Sequence, residues 1–346
     1  MAKAAGGEEN VVMTAGECVV TILPRYGGKI SSIKVKGREL LQQPLGPIAP
    51  RTQTTGFDES DASGWDECLP SVAACEVEFA GAKVRVPDHG DLWRVQWELK
   101  DEATELRDGK IPVTLVGKCF SLPLELERTI ALSETANGWR LSLDYRLTNV
   151  GDASAPWAWA AHPLFAVEPG DRIVLPESIR TLRLEGSGGG RLGKSGDTVS
   201  WPIAKLAAGG QAALSQSEAA LSPSEIDLSI VLPAHSGVGD KLFAEPLGDG
   251  MMFSEKVGAA DDWCELVRPG AGIRIRVSFN GALSPYLGLW LCYGGWPERE
   301  GPKQMCVALE PAKTPVDSLA IEGNWAWEIH PGERYEWPML VDIEPL

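Results

Sequence analysis

The stretch "WRLSLDYRL", residues 139–147, decides the fold class, because apolar and polar residues alternate along it without a break. A period of two is typical of a β-strand with one buried face and one face in water. The stretch "IRIRVSF", residues 273–279, repeats this pattern. Both stretches are therefore predicted to be long strands with one apolar face.

Weaker alternation recurs along the rest of the chain. It is visible in "ECVVTIL", "GKISSIKV", "DLWRVQWEL", "LELERTIAL" and "QMCVAL". The 38 glycines and 25 prolines separate these segments, and the helix formers of residues 203–220 are interrupted by two glycines. We therefore predict an all-β chain that forms a single large sandwich domain over residues 1–346, with a flexible N-terminus at 1–10 and a flexible loop at 185–197.

Charge and composition limit the partners that the chain can have. The formal net charge is −16, the sequence pI is near 4.8 and 44% of the residues are hydrophobic. An acidic surface opposes binding to nucleic acid and to anionic membranes. No apolar run is typical of a signal peptide or a membrane span, and the seven cysteines form no C-x-x-C pair. These features predict a cytoplasmic protein with reduced thiols, while the oligomeric state stays open.

The segment "GGGRLGKS", residues 188–195, matches the G-x-x-x-x-G-K-S pattern of a phosphate-binding loop. Such a loop works because it opens a helix whose N-terminal amides bind phosphate. Here "GDTVSWP" follows, which is a poor helix start. The match is therefore interpreted as a coincidence of a glycine-rich loop.

Four histidines and two carboxylates are candidates for chemistry. His162 lies in the apolar run "PWAWAAHPLFAVEPGD", and His89 lies in the turn "VPDHGDLW". Glu310 ends the apolar strand "MCVALEP", where burial would favour a proton acceptor. On the residues alone each of them, and Asp240 in "GVGDKLFAE", is equally compatible with a structural role, as are His235 and His330.

Other motifs narrow the chemistry. The sequence has neither a metal-binding histidine pattern nor a G-x-S-x-G nucleophile turn, so no metal and no cofactor is predicted. Tryptophans stand close to the candidate residues, namely Trp93, Trp157, Trp159, Trp290 and Trp296. Aromatic faces stack on sugar rings while polar groups bind the hydroxyls, so a small-molecule sugar is the predicted partner.

Taken in order, the motifs resemble the aldose 1-epimerase (galactose mutarotase-like) family. The similar segments are "GGKISSIKVKGRELL", "DHGDLW", "AHPLFA", "DKLF", "VALEPAKTP" and "IHPGERYEW", which span roughly residues 18–343. The resemblance implies an antiparallel β-supersandwich with a sugar-binding cleft on its concave face. It also implies interconversion of the α and β anomers of a hexose or a related sugar.

The resemblance assigns a role to each motif residue. Glu310 would be the general base on the anomeric hydroxyl, and His162 the general acid that protonates the ring oxygen. His89 would hydrogen-bond near that oxygen, and Asp240 would bind a sugar hydroxyl. Arg51, Trp65 and Asp66 are expected to bind substrate, since "GWDEC" resembles a variant of divergent members.

Two other functions remain open on the sequence. Ala161 stands where the galactose-type members carry an asparagine before the acid histidine. This difference is compatible with a non-catalytic sugar-binding protein on the same scaffold. A polysaccharide lyase or hydrolase is the third alternative, because supersandwich domains also occur in such enzymes.

Overall fold

Strands make up nearly all the regular structure of the chain. The computed structural model describes residues 10–100, 112–207, 224–244, 263–281, 283–321 and 325–346. Within these ranges there are five 3-10 helices and no α-helix; the 3-10 helices are Pro24–Tyr26, Leu92–Arg94, Gly188–Gly190, Ala234–Ser236 and Pro269–Ala271. The strands of the same ranges are β1 (Val11–Ala15), β2 (Cys18–Leu23), β3 (Lys29–Val35), β4 (Arg38–Glu39), β5 (Trp65–Cys68), β6 (Cys75–Phe79), β7 (Ala82–Val86), β8 (Glu98–Leu99), β9 (Val113–Lys118), β10 (Leu124–Thr135), β11 (Gly138–Asn149), β12 (Ala155–Trp157), β13 (Ala160–Ala166), β14 (Arg172–Val174), β15 (Thr181–Ser187), β16 (Thr198–Ser200), β17 (Ile203–Lys205), β18 (Glu225–Asp227), β19 (Val238–Ala244), β20 (Trp263–Arg268), β21 (Ile273–Phe279), β22 (Tyr286–Tyr293), β23 (Met305–Ala312), β24 (Trp327–Ile329) and β25 (Arg334–Pro345).

Two large antiparallel sheets form the sandwich. The larger has eleven strands in the order β1-β2-β3-β5-β13-β23-β22-β19-β15-β16, with β4 attached to β3. The smaller has eight strands in the order β14-β20-β21-β25-β11-β10-β9-β8. Three two-stranded sheets, β6-β7, β12-β24 and β17-β18, accompany them. The predicted all-β antiparallel sandwich is confirmed.

The alternation that predicted the strands also sets the core. In β11 the residues Trp139, Leu141, Leu143, Tyr145 and Leu147 are all buried, whereas the polar residues between them are partly or fully exposed. The apolar face of this smaller sheet packs against Leu289 and Leu309 of the larger sheet in one continuous core. The core therefore lies between the two sheets, as the one-sided apolar pattern requires.

One predicted strand has a different structure. The segment "DLWRVQWEL" contains a 3-10 helix at Leu92–Arg94 and only a short strand at its end. Arg94, which alternation would leave in water, is buried, and its guanidinium donates to the carbonyl oxygens of Thr55 (3.0 Å) and Asp88 (2.7 Å). Trp97 donates from its indole to Leu92 O at 3.0 Å. These contacts turn the chain, so alternation over this segment was a misleading signal.

The glycine-rich segment 185–197 is anchored at two points. Its first three residues extend β15, and Arg191 is buried and paired with Asp240. Ser195 is followed by a turn and by β16 rather than by a helix, which agrees with the rejection of a phosphate-binding loop. Of the helix-forming stretch, Ile203–Lys205 is strand β17, and residues 208–220 lie outside the described residues, as does most of the N-terminal segment 1–10.

The sequence analysis also concerned the state of the cysteines and the presence of a membrane span. All seven cysteines are free thiols, and five of them are buried. In the described ranges no helix has the length and apolar character needed to cross a membrane.

Candidate functional site

A cleft of about 310 Å³ opens on the face of the larger sheet that points away from the core. Aromatic, acidic and imidazole side chains share its walls. The residues that line it are Phe57, Asp58, Val72, Ala73, Asp88, His89, His162, Lys241, Trp290, Trp296, Gln304 and Asp317. A cleft with aromatic walls and a few converging polar groups is the usual form of a small-molecule site.

Strand register brings His162 and Glu310 together. In the pairing of β13 with β23, Ala160 lies opposite Ala312 and Leu164 opposite Ala308. His162 and Glu310 occupy the position midway between these two pairs, so they face each other on the cleft side of the sheet. The distance from His162 Nε2 to Glu310 Oε1 is 3.9 Å. Two titratable residues that are far apart in sequence thus lie side by side.

Glu310 lies beneath the cleft wall, and the two residues that it contacts, Lys241 and His162, line the cleft. It is fully buried, and Lys241 Nζ donates to its Oε2. Its other oxygen, Oε1, has no hydrogen-bond partner. A buried carboxylate oxygen without a donor is costly unless a ligand supplies one. The free oxygen therefore faces His162 as an open acceptor.

His162 is held in a dry environment. Only 6% of the residue is exposed, and its Nδ1 has no hydrogen-bond partner. Burial, with a smaller effect from the charges of His89, Lys241 and Lys29, lowers the pKa of His162 well below its usual range. The ring is consequently neutral in the free protein at neutral pH.

His89 stands beside His162 against an aromatic wall. Its ring stacks on Phe57 with centroids 3.7 Å apart, and it meets the His162 ring edge-on at 5.1 Å. Its Nδ1 is 2.8 Å from Asp88 Oδ2; burial alone would raise the pKa of Asp88, but the contact with His89 outweighs burial and lowers it. His89 has a backbone φ of +58°, which few non-glycine residues adopt. The backbone of the Asp-His-Gly turn thus holds this imidazole at the edge of the cleft.

Asp240 does not line the cleft, although a substrate-binding role was predicted for it. In β19 it shares the core side with Val238 and Leu242. It is fully buried there and accepts from Ser187 Oγ at 2.7 Å and from the guanidinium of Arg191. Because strand residues alternate between faces, its neighbour Lys241 occupies the cleft side instead.

The three other predicted substrate-binding residues also lie outside the cleft wall. Trp65 is fully buried in the core between the sheets. Asp66 lies on the cleft side opposite His162, but Lys29 Nζ occupies its Oδ2 at 2.6 Å. Arg51 donates to Trp93 O at 2.6 Å and pairs with Asp61. Lys29, Arg51, Asp61 and Asp66 together form a buried ion-pair network.

Several cleft residues had no signal in the sequence. Asp317 and Phe57 belong to segments that show no motif. Lys241 lies in the motif "DKLF", but the motif points to Asp240, and the structure places Lys241 beside Glu310. Trp290 and Trp296 line the cleft, as the grouping of tryptophans suggested, whereas Trp157 and Trp159 are core residues. Within the described ranges no three His, Cys, Asp or Glu side chains are grouped so as to hold a metal ion.

Comparisons with known proteins agree on the architecture. Neither a family model nor a curated protein matches the sequence. Among solved structures, the Slr1438 protein from Synechocystis sp. PCC 6803 matches with a TM-score of 0.64 and 15% identity, over 100% of both chains. A galactose mutarotase related enzyme from Lactobacillus acidophilus has a TM-score of 0.61 and 15% identity, over 97% of each chain.

A galactose mutarotase-like protein from Clostridium acetobutylicum gives the same result. Its TM-score is 0.58 and its identity 12%, over 97% of this chain and 95% of that protein. Identities this low show a shared fold and leave the activity open. The chain therefore has the galactose mutarotase-like β-sandwich fold.

Proposed function

We propose that the protein is an aldose 1-epimerase, which interconverts the α and β anomers of a hexose or a related sugar. The observation that carries this proposal is the acid–base pair at the wall of the cleft. Glu310 Oε1 and His162 Nε2 are 3.9 Å apart, too far for a hydrogen bond between them. They are close enough to act on two oxygens of one carbon, which is the arrangement of the anomeric hydroxyl and the ring oxygen.

The proposed reaction needs only proton transfers and one bond rotation. Glu310 Oε1 takes the proton of the anomeric hydroxyl while His162 gives a proton to the ring oxygen, and the bond between C1 and the ring oxygen breaks. The C1 aldehyde rotates, and closure on its other face returns both protons to their donors. Each transfer is general acid–base catalysis, which contributes about 10²–10⁴-fold per group.

The protonation state of His162 sets the pH dependence of this mechanism. Because the resting ring is neutral, the competent form with protonated His162 and ionised Glu310 is a minority species at neutral pH. A proton placed on this ring is correspondingly a strong acid. The rate is therefore expected to rise as the pH falls below 7, until the carboxylates of the cleft also become protonated.

The cleft walls suit a sugar ring. Trp296 and Phe57 lie with ring centroids 6.1 Å apart, and Trp290 is held by a 3.2 Å hydrogen bond from its indole to Gln304 Oε1. Asp317 Oδ1 has no hydrogen-bond partner, so it is an acceptor for a sugar hydroxyl. Fixed aromatic faces beside open acceptors supply both kinds of contact that a sugar requires.

A non-catalytic sugar-binding protein is the second candidate. The lowered pKa of His162 favours it, because a neutral imidazole can form hydrogen bonds with a sugar hydroxyl without giving up a proton. Glu310 argues against it, because binding alone has no need of a buried proton acceptor placed 3.9 Å from an imidazole.

Polarimetry on freshly dissolved α-glucose and α-galactose separates the two candidates. An epimerase speeds the approach to anomeric equilibrium, and Glu310→Gln is expected to reduce that rate at least about 100-fold. Glu328→Gln, an exposed glutamate on β24, is the matched control. If no aldose in a panel equilibrates faster although calorimetry detects binding, the binding-protein assignment replaces the epimerase.

A further inference from the structure

Lys241 is the charged residue closest to the proposed base. Its Nζ donates to Glu310 Oε2 and lies 3.6 Å from Asp317 Oδ1. The lysine side chain is 10% exposed and borders the cleft. One ammonium group is thus shared between two carboxylates on the wall of the site.

The two oxygens of Glu310 are made unequal by this contact. Oε2 is occupied by the ammonium, while Oε1 has no hydrogen-bond partner and faces His162. A carboxylate with one oxygen fixed by a charge-assisted hydrogen bond has lost the freedom to rotate both oxygens into the cleft. Proton transfer is thereby confined to the oxygen that faces His162.

The charge of Lys241 is secured by the second carboxylate. Burial disfavours the ammonium, but the charges of Asp317 and Glu310 outweigh burial and raise the pKa of Lys241. Burial in turn raises the pKa of Asp317, and Lys241 opposes that rise. With Asp317 as its anchor, Lys241 holds Glu310 without leaving a buried charge unpaired.

From these contacts we infer that Lys241 is the positioning residue of the base, which it holds through Oε2 so that Oε1 alone exchanges protons with substrate. This inference rests on the proposed epimerase activity. It assigns to Lys241 a role that the sequence motif gave to its neighbour Asp240, which lies on the other face of the strand.

The test compares Lys241→Met, Lys241→Arg and Asp317→Asn in the full-length chain. Lys83→Met, an exposed lysine on β7 whose side chain is 70% exposed, is the matched control. Wild type and Glu310→Gln are assayed first, so that an inactive wild type is recognised as failure of the proposed function and of this inference with it. The mutarotation rate is then measured from pH 5 to 9, with kcat and KM separated.

Lys241→Met is expected to lower kcat about 10–100-fold with a smaller change in KM, because a misplaced catalytic group costs up to about 10² in rate. Loss of the ammonium favours the protonated form of its partner, so the acid limb of the pH profile moves to higher pH. Lys241→Arg restores part of kcat, and Asp317→Asn gives an intermediate loss. Lys83→Met behaves as wild type.

Two results with an active wild type would overturn the inference. The first is Lys241→Met with an unchanged kcat and pH profile. The second is a loss of activity that Lys241→Arg does not restore, with an unshifted pH profile and a lowered melting temperature. That combination would mean that Lys241 only supports the fold.

Discussion

Replacing Lys313 by methionine is expected to stabilise the protein, because this lysine is buried and has no counter-ion among the described residues. It follows β23 directly and is fully buried. Its Nζ has no hydrogen-bond partner in the described part of the chain. Instead it lies over the rings of Trp157, Trp327 and Trp337, at 5.5, 4.8 and 4.6 Å from their centroids. Methionine has a similar length and lacks the amine.

The magnitude follows from the titration of the amine. Burial lowers the pKa of Lys313 from 10.5 to about 7. Above pH 10.5 the amine is neutral in the folded and the unfolded chain, so it has no effect on folding. Below that pH the unfolded chain takes up a proton that the folded chain does not, and stability falls by about 1.4 kcal/mol for each pH unit. The gap down to about 7 therefore costs about 5 kcal/mol, and the cost is constant at lower pH.

The three tryptophan rings reduce that figure. A cation over an aromatic face gains about 0.5–2 kcal/mol for each favourable ring. Such attraction stabilises the ammonium in the folded state and opposes the effect of burial. The three rings together offset at least about 1.5 kcal/mol, so the expected gain for Lys313→Met at pH 7 is at most about 3.5 kcal/mol, and it is expected to disappear near pH 10.5.

Urea unfolding of wild type and Lys313→Met from pH 7 to 10 measures this difference. The free energies of unfolding should converge as the pH rises, while the exposed control Lys83→Met keeps a constant difference from wild type. A variant that is no more stable than wild type at pH 7, with a difference that does not depend on pH, would refute the reasoning. It would show that the rings compensate the burial of the charge completely.

Three further outcomes are expected. His162→Asn should weaken the fall in the free energy of unfolding on the acid side of its pH profile. Because the pKa of His162 is lowered in the folded chain, wild type loses up to about 1.4 kcal/mol per pH unit relative to the variant below pH 6.5. Parallel urea-unfolding profiles would contradict this. Gly288→Ala should lower the mutarotation rate roughly tenfold in a chain that still folds, since the added Cβ would lie 3.0 Å from Glu310 Oε2 and displace that oxygen. An unchanged rate would show that the carboxylate adapts to the methyl group. By calorimetry at low salt, glucose 6-phosphate should bind about tenfold more weakly than glucose. Three carboxylates border the cleft, those of Asp58, Asp88 and Asp317, and the one described lysine on its wall, Lys241, is already paired. Equal affinities would show that the phosphate finds a cation outside the described residues.

The sequence predicts the strands well where one face is in water. In β11 and β21 the polar residues mark the exposed face, so alternation identifies both the strand and its orientation. The segment at 92–94 shows the limit of this signal. There Arg94 is buried by hydrogen bonds to loop carbonyls, and such long-range contacts leave no periodic mark.

Strand orientation is lost where both faces are buried. In β19 six of the seven residues are buried, including the unbroken run from Asp240 to Ala244, and in β5 all four residues are buried. Alternation still divides such a strand into two sets, but it does not say which set faces the cleft. The motifs at these two strands therefore carry no information on the side that each residue takes, and Asp240 and Trp65 lie on the core side. An error of one residue was enough to hide Lys241.

The site itself depends on register, which is a property of paired strands and not of any one segment. Pairing across five strands sets Asp66, His162, Glu310, Gly288 and Phe243 in one row on the cleft side. Each charged member of that row has a fixed partner at one oxygen, Lys29 for Asp66 and Lys241 for Glu310. Two oxygens of the row have no hydrogen-bond partner: Asp66 Oδ1, which still has Arg51 Nη1 at 3.6 Å, and Glu310 Oε1, which faces the neutral imidazole of His162. A fold under selection for stability alone has no reason to leave that acceptor open beside a neutral imidazole, and a sugar hydroxyl is the donor that would close it.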